Sequence, residues 1–256
     1  MRRVKTVVAT LLLVSLVLAA AAAAVEYKFG YVTGYQPPGG YPMVRSPSLL
    51  LDLKELIVLQ KFYSQLGQDK WVLGTIFPGV ADGYFVDIGA WDAEILSNTK
   101  ALEEAGWSGI CLEPFPRNWT DRTCRLFEEV VYSSAGEVIR FRQADVLGGI
   151  DDLIVHHKAE VASAPVVELT TTTLDDVLDR ANAPRFVHYV SIDTEGSELE
   201  ILKGLSFSKY TVGAFTIEHN SEEPKKRQIR ELLEANGYRF VREQLVDDWF
   251  VLARDR

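Results

Sequence analysis

The chain has 256 residues, 47% of them hydrophobic and 25% charged, with two cysteines and a formal net charge of −9. That is enough chain for one ordinary domain with an appendage, and the composition is that of a chain that buries a core. Two cysteines exclude a disulfide framework and a four-cysteine zinc site, and the acidic balance argues against a nucleic-acid partner.

Arg2, Arg3 and Lys5 open the chain, and from Val7 to Val25 only Thr10 and Ser15 interrupt an apolar run of 19 residues. A basic head, an apolar run and the alanines Ala19 to Ala24, with several A-x-A sites, describe a secretory signal over residues 1–25. The run also has about the ~20 residues that span a bilayer. A cleaved signal and a retained anchor therefore both stay open. In either case the body is expected to be exported, in the secretory pathway or outside the cytoplasm. It would meet a membrane only through residues 7–25. Beyond residue 25 there are 24 Lys and Arg against 36 Asp and Glu. Residues 26–47, with Pro37-Pro38-Gly39-Gly40, Pro42 and Pro47, read as a tether, and residues 48–256 as the domain.

In the domain, apolar spacing predicts helices over residues 49–61 and 65–77, the second stopped by Pro78-Gly79. Residues 84–88 form a short apolar run that closes on Asp87-Ile88-Gly89, as a buried parallel strand would. A helix over 96–105 stops at Gly106, and residues 109–113 give a second strand, ended by Glu113 and Pro114. A helix is expected around Cys124, and a third strand over 138–141. Helices over 174–181, 199–205 and 223–236 alternate with strands over 187–193 and 212–218. Residues 238–244 and 249–253 could close the chain as a hairpin around Asp247-Asp248. Strands alternating with helices imply an α/β sheet with helices on both faces.

Three of these strands end in an acid: Asp87, Glu113 and Asp193. In open α/β sheets ligands bind beyond the carboxyl ends of the strands. The second acid follows the first by 26 residues, a spacing that suits a carboxylate bonded to ribose hydroxyls. The same acids would also serve simply as turn caps. A dinucleotide needs G-x-G-x-x-G, whereas this turn reads Gly89-Ala90-Trp91-Asp92-Ala93-Glu94. Its later glycines are missing and two acids stand where phosphate would lie. This points away from NAD and toward a cofactor without phosphates.

The order of motifs resembles the FkbM-type methyltransferases that use S-adenosylmethionine (SAM), a family that includes the animal Star-like proteins. The residues that carry the likeness are Ser64-Gln65-Leu66-Gly67-Gln68-Asp69, Phe85-Val86-Asp87-Ile88-Gly89-Ala90, Ser97-Asn98-Thr99, Leu102-Glu103, Gly106-Trp107-Ser108-Gly109 and Leu112-Glu113-Pro114. Further along come Thr173-Leu174-Asp175, the run Ser191-Ile192-Asp193-Thr194-Glu195-Gly196-Ser197-Glu198, Ile217-Glu218-His219-Asn220 and Gly237-Tyr238. The likeness covers about residues 62–252. It implies a class I methyltransferase fold, a Rossmann-like sheet of seven strands with the last antiparallel. It implies SAM over the Gly89 turn, with Asp87, Gly89 and Ala90 beside the methionine part, Glu113 on the ribose and Asp145 near the adenine. Asp193 and Glu195 would face the substrate. The family usually has a small polar residue and then glycine where this chain has Trp91 and Ala93, so Ala93 is expected to meet a left-handed backbone.

His219 is the only histidine in a matched motif, and its ordinary pKa near 6.5 suits a general base. It would otherwise order the turn that it belongs to. Asp193 and Glu195, with Asn220, could hold a magnesium or calcium ion, or simply form a solvated acidic rim; no residue is assigned to a metal. His156 and His157 read as surface. Cys111 and Cys124 read as buried thiols, with a disulfide open in an exported protein. Asn118-Trp119-Thr120 is a glycosylation sequon. Two functions follow from the resemblance. One is SAM-dependent O-methylation of a glycan, a lipid or a small hydroxylated metabolite. The other is a non-catalytic, Star-like role in trafficking or binding, which suits an exported body cut off from cytosolic SAM.

Overall fold

The computed structural model describes residues 61–253. The signal or anchor over 1–25, the tether over 26–47 and all but the last residue of the helix expected over 49–61 lie outside the described residues. Among the described residues no helix is long and apolar enough to cross a membrane.

The fold is mixed α/β, with a sheet of seven strands. In chain order these are β1 (Tyr84–Ile88), β2 (Ser108–Leu112), β3 (Arg125–Phe127), β8 (Phe186–Ile192), β9 (Thr211–Glu218), β10 (Tyr238–Gln244) and β11 (Asp247–Leu252). Their order across the sheet is β10-β11-β9-β8-β1-β2-β3. The first five run parallel, and β11 lies antiparallel between β9 and β10. The central strands β1, β8 and β9 are nearly continuous apolar runs because both of their faces are covered. Their side chains join those of α3 (Leu174–Arg180), α4 (Glu198–Lys203) and α5 (Lys225–Ala235) in one core.

Several elements differ from the sequence reading. Residues 65–77 are not one helix. A single turn, α1 (Gln68–Trp71), follows Gly67 in the left-handed region and runs into a π-helical turn over Val72–Ile76. Helix α2 is only Lys100–Glu104. No helix carries Cys124, which precedes β3 directly. The strand expected over 138–141 is β5 (Val138–Arg142), and it belongs to a second sheet of order β4-β7-β5-β6. It pairs with β6 (Gly149–Ile150) and β7 (Val166–Thr173), and β4 (Val130–Tyr132) pairs with β7 on its far side. In the closing hairpin Asp247 and Asp248 are the first residues of β11. The turn is Leu245-Val246, where Leu245 takes φ 57°.

Candidate active site

Strand register brings the acids together. Asp87 on β1 lies opposite Cys111 on β2 and Ser191 on β8, and Ile192 opposite Ile217 on β9. Glu113 and Asp193, which follow β2 and β8, and Glu218, the last residue of β9, therefore meet at one sheet edge. Asp247, paired with Glu218, extends the row. This edge is where the strand order reverses between β1 and β8, the place where open α/β sheets form a crevice. A cavity of about 410 Å³ opens there. It is lined by Asp87, Gly89, Ala90, Glu113, Asp145, Asp193 and Glu195, seven of the eight site residues that the sequence singles out, and not by His219.

The turn after β1 is shaped by glycine. Gly89 has φ +83°, and a β-carbon there would lie 1.6 Å from the Asp193 carbonyl oxygen. The Gly89 and Ala90 N–H groups both donate to the Leu112 carbonyl, at 2.9 and 3.2 Å. Ala93 is not the strained residue of this turn. Trp91 takes the positive φ, 38°, while Ala93 is buried and its N–H donates to the Arg117 carbonyl. The Trp91 backbone N–H donates to Glu113 Oε2 at 3.2 Å, and Phe115 N–H to Glu113 Oε1 at 2.9 Å. Burial raises the Glu113 pKa against these two donors. The Trp91 indole N–H donates to Asp145 Oδ1 at 2.7 Å, and Arg117 Nη1 to Asp145 Oδ2 at 3.2 Å. The indole is thus pinned as a wall of the cavity beside Asp145.

Beneath the turn, Asp87 is 3% exposed and accepts from Thr99 Oγ1 at 2.6 Å. Burial raises its pKa, and the Thr99 bond and the nearby Arg122 charge act against that rise. Asn98 Nδ2 donates to Ser191 Oγ at 2.9 Å. Asn98 Oδ1 is buried without a hydrogen-bond partner, on a residue that lines the cavity.

The other end of the cavity is a cluster of carboxyls. Burial raises the pKa of both Asp193 and Glu218 far above the carboxylate range, helped at Asp193 by the charges of Asp247 and Glu195 and at Glu218 by the charge of Asp193. Burial, then repulsion from Glu198, lifts Glu195 to about 7. Asn220 Nδ2 donates to Glu218 Oε2 at 2.8 Å and to Glu195 Oε2 at 3.2 Å. Asn220 is therefore a donor to this cluster. The group able to hold a cation is Asp193, Glu195 and Glu218, whose carboxylate oxygens lie within 4.8 Å of one another. His219, Glu243 and Asp248 form a second such group, but Arg230 already supplies the positive charge there, bonded to both acids.

His219 does not fit the role of general base. It is 1% exposed, its Nδ1 accepts from Ser221 N–H at 2.9 Å, and its Nε2 lies 3.3 Å from Asp248 Oδ1. It orders the turn after β9, where Asn220 and Ser221 both take positive φ. His156 is exposed and His157 half-buried, as the surface reading has it, and both stand at the cavity lining. So do Gln65 and Gln68, and Gln68 Nε2 donates to Asp247 at 2.8 Å. The motifs that contain these glutamines and Ser97-Asn98 are visible in the sequence, but nothing in their pattern assigns them to a pocket. The thiols expected of Cys111 and Cys124 are instead joined as a disulfide, because the segment before β3 returns along β2. The sequon Asn118 donates from its amide to Asp92 at 2.9 Å.

A family model described as the Methyltransferase FkbM domain matches residues 87–240. No curated protein matches the chain significantly.

Proposed function

The chain belongs to the FkbM methyltransferase domain family, and on that premise we propose that it moves a methyl group from SAM to a hydroxyl of a glycan, a lipid or a small metabolite. The fold we assign is the class I methyltransferase sheet, to which the seven-strand order with its inserted antiparallel strand corresponds. The observation that carries the reading is one cavity with nucleoside-type acceptors at one end and a proton acceptor at the other.

The residues of the cavity fit SAM. A carboxylate offers about four lone-pair sites. Two of those on Glu113 are taken by backbone N–H groups, which leaves the others for ribose hydroxyls. The orphaned Asn98 Oδ1 gives a buried acceptor for the methionine ammonium group. The Gly89 turn lets backbone run close beneath the ligand. Asp145 and Trp91 border the adenine end.

When bound, SAM supplies an electrophilic methyl on a sulfonium, open to in-line displacement. The chain then has to place the acceptor oxygen and take its proton. We assign the proton to Glu195, which lines the cavity and has a pKa of about 7 that makes it half-ionised near neutrality. Asn220 holds the Glu195 carboxylate by its amide N–H. His219 serves by fixing the turn that carries Asn220. Residues 1–25 we assign to export, by a cleaved signal or an anchor, with the acceptor met beyond the cytoplasm.

Calorimetry with SAM tests the reading. Binding in the micromolar range, weakened at least about tenfold by Glu113→Ala, is expected. No heat at millimolar SAM would overturn it and favour the non-catalytic alternative.

A further inference from the structure

One buried charge lies outside the cavity and has no part in the mechanism above. Arg122 has a side chain with no exposed surface, and its ion-pair partner Glu103 is only 4% exposed. Buried ion pairs contribute little net stability, since desolvation offsets attraction. Arg122 uses its whole fork. Nε donates to Glu103 Oε2 at 2.6 Å. Nη1 donates to the Ala93 carbonyl and to Ser97 Oγ, both at 3.2 Å. Nη2 donates to Thr99 Oγ1 at 2.8 Å and points at Cys111 Sγ at 3.3 Å. Three of these partners belong to the loop between β1 and α2, which frames the cavity. One of them, Thr99, donates its own hydroxyl hydrogen bond to Asp87 Oδ2 at 2.6 Å.

The segment that carries Arg122 is fastened at both ends. Arg117 N–H donates to the Trp91 carbonyl at 2.7 Å, and Asn118 bonds Asp92. Cys124 is joined to Cys111, the residue directly opposite Asp87 in the sheet. Residues 117–124 therefore form a strap under the cofactor loop, with Arg122 as its inward anchor.

We propose that Arg122 is a positioning residue for the cofactor site. Through Thr99 it sets the orientation of Asp87, and through Ala93 and Ser97 it holds the loop at the cavity. Lysine would not replace it, because an ammonium group has neither the five donors nor the planar fork that these partners need. The inference rests on the reading of the cavity as a SAM site.

The test uses Thr99→Val, which breaks the relay and leaves the Arg122–Glu103 pair whole, and the double variant Arg122→Met with Glu103→Gln, which leaves no unpaired buried charge. SAM affinity is measured by calorimetry across pH, with thermal unfolding as a control for folding. The charged and titratable groups around Asp87 are Arg122, Glu103, Glu113 and Tyr189. Thr99→Val leaves all four in place, so a shift in pH dependence reports the relay itself. Each variant is expected to melt cooperatively and to bind SAM about ten- to a hundredfold more weakly. The pH at which affinity falls off should rise, because Asp87 loses a donor to its ionised form. Wild-type affinity and an unmoved pH profile in both variants would overturn the inference alone. A wild-type chain that binds no SAM would overturn the cofactor reading and this inference with it.

Discussion

At the scale of single residues the cavity depends on position 89. A β-carbon there would collide with the Asp193 carbonyl, and the backbone is already left-handed. Gly89→Ala is expected to cost about 2 kcal/mol or more in stability and to abolish SAM binding. A melting curve with and without SAM measures both, and an alanine variant that SAM still stabilises would show that the turn is not the cofactor's seat. Two residues compete for the role of base, and their environments separate them. Glu195 faces the cavity with a pKa of about 7, whereas His219 is turned inward to Ser221 and Asp248. Only ionised Glu195 can accept a proton, so with any accepted hydroxyl substrate kcat/KM should rise with pH through about 7. Glu195→Gln should remove that limb and lower the rate about a hundredfold or more. His219→Gln should keep the limb and lose stability instead. A limb that disappears with His219 would restore the histidine as base.

At the scale of elements, the parts legible in the sequence were those with a physical reason to be apolar. Strands β1, β8 and β9 are covered on both faces, so their residues announce them, and the acids that end them mark the crevice. Strand β7 is only partly covered, with Glu168 and Thr170 exposed. Its Val166–Thr173 run ends in four threonines and has no apolar run to notice. Strand β3 has three residues, fewer than any periodicity needs. The site divides in the same way. Asp87, Glu113 and Asp193 could be read because they sit at strand ends. The inward turn of His219 could not, because it is set by Asp248 and Arg230 on β11 and α5, distant in sequence. The disulfide was likewise undecidable from spacing, since it depends on a strap whose path no local pattern shows. It closes a loop of sequence separation 13. On the loop-entropy scale Cys124→Ser should cost about 3 kcal/mol. Dithiothreitol should lower the melting temperature of the wild type and not of the variant. Equal sensitivity in both would mean that the bond is not formed in solution.

At the scale of the whole molecule, the acidic balance of the body is concentrated where burial makes it costly. Along one sheet edge Glu195 and Asp247 are lifted to about 7 and about 6, and Asp193 and Glu218 are raised as well, each first by desolvation. These groups bind protons more tightly in the folded chain than in the unfolded one. Their contribution to stability is therefore full below the ordinary carboxylate pKa and is lost as pH rises through the folded values. Elsewhere the sign is opposite. Asp248, although buried, is held below the usual range by Arg230 and His219, and Glu103 by the Thr123 N–H and Arg122. Those acids stabilise the fold above the unfolded pKa and lose that contribution as pH falls. The two sets together predict a stability maximum on the acid side of neutrality, with an alkaline limb that belongs to the cavity. Glu195→Gln combined with Glu218→Gln removes the ionisations responsible for that limb. The double variant should melt a few degrees above the wild type at pH 8 and within about a degree of it at pH 5. Thermal unfolding at the two pH values decides the matter. An equal shift at both would assign the gain to packing, and no shift at pH 8 would mean that the carboxyls of the cavity are solvated in the folded chain.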